Sequence, residues 1–125
     1  MLSGRECEEL MCQEYWQESK LVKALDVLYI KSHGRWSQLY FENCTVFWRP
    51  QQEGPIAYNE KTDDRFKYPL VDLGNKYQLK GKVIAECEAF SLVNGAKINL
   101  LFEGGAKLVI TCVDNETRIQ YIDSF

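Results

Sequence analysis

Long apolar runs, paired cysteines and any excess of positive charge are missing from this sequence, and histidine occurs only once. No stretch approaches the roughly 20 apolar residues that a bilayer-spanning helix needs. Residues 1–16, MLSGRECEELMCQEYW, are acidic and lack an apolar heart, so they do not read as a secretory signal. The five cysteines, Cys7, Cys12, Cys44, Cys87 and Cys112, are odd in number and none forms a C-x-x-C pair. That argues against a disulfide framework or a zinc knuckle and suggests a reducing compartment, the cytosol. The single histidine, His33, sits in a Ser-His-Gly turn signal, where a turn role outweighs that of a base or metal ligand. There is no G-x-S-x-G, no paired-aspartate motif and no glycine-rich phosphate loop. The expectation is therefore a protein that is not an enzyme and carries no cofactor and no metal. The net charge of −3 belongs to residues 1–22, where five glutamates face Arg5 and Lys20; the rest is neutral. A nucleic-acid binder normally shows a basic excess or stripe, so no nucleic-acid partner is expected. A local lysine cluster still leaves room for an anionic membrane surface.

What is present is a chain of ordinary hydrophobic content, 46%, long enough for one core. Ser3 and Glu6 have capping-box spacing, and Cys7, Leu10, Met11, Tyr15, Leu21 and Val22 recur at helical intervals. The pattern predicts an N-terminal helical extension over residues 1–22, interrupted by Glu14 and Glu18, packed on its own domain or on a partner. From residue 23 the periodicity becomes that of strands: 23–31, 35–42 and 44–49 in a meander, then 66–73, 83–93, 97–103 and 107–113. RWSQLYFE alternates Trp36, Gln38 and Tyr40 on one face with Ser37, Leu39 and Phe41 on the other. Tyr40, Phe41 and Phe47 are expected mainly in the core. Pro69 suggests an edge or a bulge, and Asn94-Gly95 is a strong hairpin signal. Residues 50–65 form a long polar loop, with Asp63-Asp64 beside Arg65 as a charged tip between Tyr58 and Tyr68. Asp114 is read as the N-cap of a final helix that puts Ile119, Ile122 and Phe125 on one face. That helix runs to the last residue without a stop signal, which suggests a segment of a longer multidomain chain.

Seven strands and a terminal helix over residues 23–125 resemble the pleckstrin-homology family. The resemblance rests on Trp36 followed by Tyr40-Phe41, on Tyr68-Pro69-Leu70-Val71-Asp72-Leu73, on Phe90, and on the closing ITCVDNETRIQYI. It implies a mainly β fold: a sandwich or barrel of two near-orthogonal antiparallel sheets, a C-terminal capping helix, and the extra N-terminal helix. Trp36 with Leu39 and an aromatic third strand look nearest to the pleckstrin-homology domains of small phosphotyrosine-signalling adaptors. Two features depart from the family pattern. The tryptophan usual in the C-terminal helix is replaced by Arg118, or its slot is filled by Ile119. The cations that clasp a phosphoinositide head group are represented by Lys31, His33 and Arg35 alone, because Ser37, Gln38 and Leu39 stand where basic residues would follow.

The resemblance implies a non-catalytic module of a cytosolic signalling or adaptor protein. It would bind a protein partner or dock weakly on a membrane, so its location would be cytoplasmic or peripheral at the membrane. The alternative is phosphoinositide-dependent targeting through Lys31, His33 and Arg35. A third reading is a small β-barrel carrier of an apolar ligand, which calls for about ten strands and no plugging helix. Lys76, Lys80 and Lys82 form the densest basic patch, read either as a solvated loop or as a contact for an anionic surface. Trp36 and Trp48 are the candidate partner contacts.

Overall fold

The computed structural model describes residues 3–42, 45–51, 55 and 65–123, with the side chains of 50 and 51 excepted. Ten strands and one short helix run through them. The first four are β1 (Glu9–Gln17), β2 (Lys20–Ser32), β3 (Arg35–Glu42) and β4 (Thr45–Gln51). Two fragments follow, β5 (Phe66–Lys67) and β6 (Leu70–Asp72), then α1 (Leu73–Lys76). The chain closes with β7 (Ile84–Leu92), β8 (Gly95–Phe102), β9 (Lys107–Val113) and β10 (Glu116–Ile122). The fold is mainly β, built as two antiparallel sheets. The larger has the order β4-β3-β2-β1, with β5 and β6 both on the far side of β1; the smaller is β10-β9-β8-β7.

Both terminal helices expected from the sequence are strands. Residues 9–17 form an inner strand, paired with β2 on one side and with β5 and β6 on the other. Leu10 and Cys12 point into the core, while Met11 and Gln13 share the other face. Helical spacing fitted because both faces of an inner strand carry apolar groups, which hides the period of two. Leu21 and Val22, assigned to that helical stripe, are 46% and 42% exposed at the start of β2. Residues 116–122 pair along their whole length with β9. Ile119 packs on the core with Tyr121, whereas Ile122 takes the opposite face and is 40% exposed. Phe125 lies outside the described residues, as do Cys44, Tyr58 and Asp63-Asp64 and most of the 50–65 loop.

Mirror-image turns explain the second error. Asp114 and Asn115 both take left-handed backbone, φ 51° and 63°, as do Glu18-Ser19 and His33-Gly34. Two successive positive φ values match the right-handed twist of a two-residue hairpin. Aspartate and asparagine are favoured both there and at helix N-caps, so Asp114 was a turn signal rather than a cap. The true N-cap is Asp72, whose Oδ1 accepts from the Asn75 amide at 3.0 Å.

The inner faces of the two sheets meet in one apolar cluster. Leu10, Leu28 and Ile30 come from the larger sheet, and Ile98, Leu100, Phe102, Leu108 and Ile110 from the smaller. Burying each such side chain contributes about 1.5–3 kcal/mol. The N-terminal segment ties the sheets together. Gly4 donates to the Ile84 carbonyl at 2.7 Å and Ile84 donates to the Arg5 carbonyl at 2.8 Å, before the chain crosses into β1. Gly95 is required by a close approach: a Cβ there would lie 1.8 Å from the Cys112 carbonyl oxygen.

Candidate functional site

The turn joining β2 and β3 brings Lys31, His33 and Arg35 together, and it brings two carboxylates with them. Glu8 folds over the turn, and both its side-chain oxygens accept from the Gly34 amide, at 3.1 and 3.0 Å. Glu9 pairs with Lys31 across the ladder, its Oε2 3.8 Å from the Lys31 Nζ. Lys31 also lies 5.8 Å over the Trp36 ring. The backbone donor that an incoming phosphate would use is thus already occupied by an anion. Glu8 and Glu9 were not connected with this site from the sequence, because a helix over residues 1–22 would have placed them elsewhere.

Lys76, Lys80 and Lys82 occupy the connection from α1 to β7, which is firmly anchored. Leu73 and Leu79 are buried in it, and the Lys82 carbonyl accepts from the Cys7 amide at 2.8 Å. Lys80 is paired with Asp72 at 3.2 Å, and Lys76 lies 5.4 Å over the Tyr77 ring. The two tryptophans part company. Trp48 packs against the core, and Trp36 lies on the outer face of the larger sheet, half-buried.

That outer face is aromatic, which the sequence reading recognised only in part. Phe41 turns inward as expected, and Leu39 on the same face turns inward with it. Tyr40 and Phe47, expected in the core, instead pair across β3 and β4 with ring centroids 5.5 Å apart, and Phe47 is 41% exposed. The Arg49 guanidinium lies 5.8 Å over the Tyr40 ring. A shallow, open hollow of about 290 Å³ adjoins them, lined by Asp26, Val27, Gln38, Tyr40, Phe41 and Arg49. A second aromatic group stands where β5 meets β1: Tyr15 stacks on Tyr68 at 5.1 Å and on Phe66 at 6.3 Å. Burial, then Tyr15 and Asp26, push the Tyr68 phenol above its ordinary pKa.

Three of the thiols, Cys7, Cys12 and Cys87, offer little nucleophilic character. Burial pushes Cys7 and Cys12 up to about 12 and Cys87 up to about 11, with nearby glutamates adding to each. Among the described residues no group of three or more His, Cys, Asp or Glu is placed to hold a metal ion, and no helix is long and apolar enough to cross a membrane. Comparison with protein-family models, with curated proteins and with solved structures finds no match.

Proposed function

We propose that this chain is a non-catalytic binding module whose partner is a protein, seated on the outer face of the larger sheet. The observation that carries the reading is the exposed Tyr40–Phe47 stack beneath Arg49. Aromatic and arginine side chains dominate binding hot spots, since they bury much area at little cost in side-chain freedom. Trp36 lies on the same face, one pair of residues along β3 from Gln38. From the pleckstrin-homology resemblance this reading keeps a β-module that docks; the capping helix of that family has no counterpart in residues 116–122, which are β10.

Phosphoinositide targeting through Lys31, His33 and Arg35 is disfavoured by the carboxylates of Glu8 and Glu9 at that turn. Weak attraction to anionic surfaces rests on Lys76 and Lys82, since Lys80 is paired with Asp72. The apolar-carrier reading gains from ten strands, the number it called for. Against it, the inner faces of the two sheets pack on each other in a single cluster.

The test is a Tyr40→Ser/Phe47→Ser variant, with its urea midpoint as the control for folding. Partner retention should fall at least tenfold with folding intact. Retention equal to that of the unmodified chain would remove the face from consideration.

A further inference from the structure

The free edge of the smaller sheet has a composition of its own. β7 pairs with β8 on one side only. Its first residues are covered by the N-terminal segment through the Gly4–Ile84 and Arg5–Ile84 hydrogen bonds and the Glu6–Val83 bridge. A bulge follows between Ile84 and Glu86, and from there to Leu92 the register is regular. Along that run no other strand lies beside β7 among the described residues. Every second residue therefore turns its N–H and C=O away from β8, toward an edge with no paired strand among the described residues. Natural edges are usually blunted by lysine, proline or a bulge. This run has none of these beyond Glu86.

The side chains of the run are ordered by charge. On the outer face Glu86 and Glu88 come first, then Phe90 and Leu92, which are 39% and 37% exposed. The residues across from the two glutamates on β8 are Leu101 and Asn99, neither of them a cation. The Asn99 Oδ1, buried beside Glu88, accepts no hydrogen bond. Glu88 and Glu86 share a hydrogen bond that, with the charge of Glu86, holds the Glu88 carboxyl above its ordinary pKa. Lys97 is taken up over the Phe90 ring at 5.3 Å. Carboxylates therefore crowd one half of the edge, and apolar groups lie open on the other half.

We infer that residues 86–92 of β7 are a strand-addition site for an extended segment of a protein partner that carries two apolar residues followed by two basic ones, all at alternate positions. In antiparallel register the basic residues sit opposite Glu86 and Glu88 and the apolar ones opposite Phe90 and Leu92. Main-chain hydrogen bonds supply the docking, and the alternate side chains supply its direction and selectivity. A second copy of this chain fits less well. A two-fold register centred on Glu88 sets that carboxylate against itself. One centred on Phe90 sets Glu88 against Leu92 and leaves all four glutamates without a cation. This surface is separate from the aromatic face of the larger sheet, and either can fail without the other.

The test uses the whole chain and the peptide Ile-Thr-Ile-Thr-Lys-Thr-Lys, written to run antiparallel from Leu92 to Glu86. Amide exchange and chemical shifts read the site, and fluorescence anisotropy reads affinity. Saturable binding is expected, with protection confined to β7 and its flanks. Replacing both lysines by glutamate should weaken binding about tenfold or more, since each cross-strand charge pair is turned from attraction to repulsion. N-methylation of the edge-facing amides should abolish binding. The Glu86→Lys/Glu88→Lys variant should reverse the preference and take the glutamate peptide. Four results would overturn the inference: no saturable binding, binding indifferent to N-methylation, protection elsewhere on the chain, or a concentration-dependent dimer that Phe90→Lys dissolves.

Discussion

Replacing Gly95 by alanine tests the packing of the smaller sheet at its tightest point. The added Cβ would lie 1.8 Å from the Cys112 carbonyl oxygen, 2.9 Å from its carbon and 3.0 Å from the Val113 Cα. All three are backbone atoms, so no side chain can swing aside. Ordinary contact begins near 3.4 Å, and β8 and β9 would have to part by well over an ångström at this end. Gly95 pairs with both Leu92 and Val113, so the movement loosens two ladders. Losing about two hydrogen bonds costs about 1–3 kcal/mol. Overpacking strain in what remains adds a comparable amount, about 1–3 kcal/mol. Restricting the unfolded chain returns about 0.4–1 kcal/mol. The net expectation is a destabilisation of about 1–5 kcal/mol, read by urea denaturation, together with faster amide exchange at Val113 and Asp114. Were the close approach not real, only the unfolded-state effect would remain and the variant would be slightly more stable. A gain in stability, or a change within about 0.5 kcal/mol, refutes the reasoning.

Four further outcomes follow from burial and charge. Cys7 and Cys12 are held up to about 12 when folded, against about 8.5 for a free thiol, so the unfolded chain loses its thiol protons first. Stability is unaffected below pH 8 and falls as the pH rises, by about 2 kcal/mol per thiol at pH 10, which denaturation across that range would show. Native Cys7 and Cys12 should also resist a thiol reagent at pH 8 while the urea-unfolded chain reacts fully. The Glu88 carboxyl is raised by the hydrogen bond and charge of Glu86, so Glu86→Gln should move its carbon-detected titration to lower pH; an unmoved midpoint would mean the two side chains do not meet. In vesicle sedimentation with bisphosphorylated inositol lipid, a Lys31→Gln/Arg35→Gln variant should bind as weakly as the unmodified chain, and strong lipid-dependent recruitment lost in that variant would contradict the role given to Glu8 and Glu9.

The sequence revealed the strands whose two faces differ and concealed those whose faces do not. Residues 35–42 and 107–113 were bounded correctly because buried and polar groups alternate there. β1 was hidden because Met11 and Tyr15 on its outer side are as apolar as Leu10 and Cys12 on its inner side. The helix read over residues 115–125 came from Ile119 and Ile122, three apart; only the pairing with β9 shows that they face opposite ways. Asn94-Gly95 marked the right hairpin for another reason: the turn is made by Val93 and Asn94, and Gly95 begins β8 under the Cys112 carbonyl. The motif Trp36…Tyr40-Phe41 fits any antiparallel meander with one buried face, which is why it located the larger sheet without fixing what closes the fold. Of the candidate sites, the cations near Lys31 were legible, but their neutralising partners lie 22 or more residues away in sequence, across a ladder that the helical reading had removed.

The most direct measurement compares three forms of the chain for retention of one and the same partner protein: unmodified, Tyr40→Ser/Phe47→Ser, and Lys31→Gln/Arg35→Gln. All three must show the same unfolding free energy in urea to within about 1 kcal/mol. If the outer aromatic face is the binding surface, the first and third retain the partner equally and the second loses it at least tenfold. Retention by the aromatic variant, with loss in the lysine–arginine variant, would contradict the assignment and move the site to the β2–β3 turn.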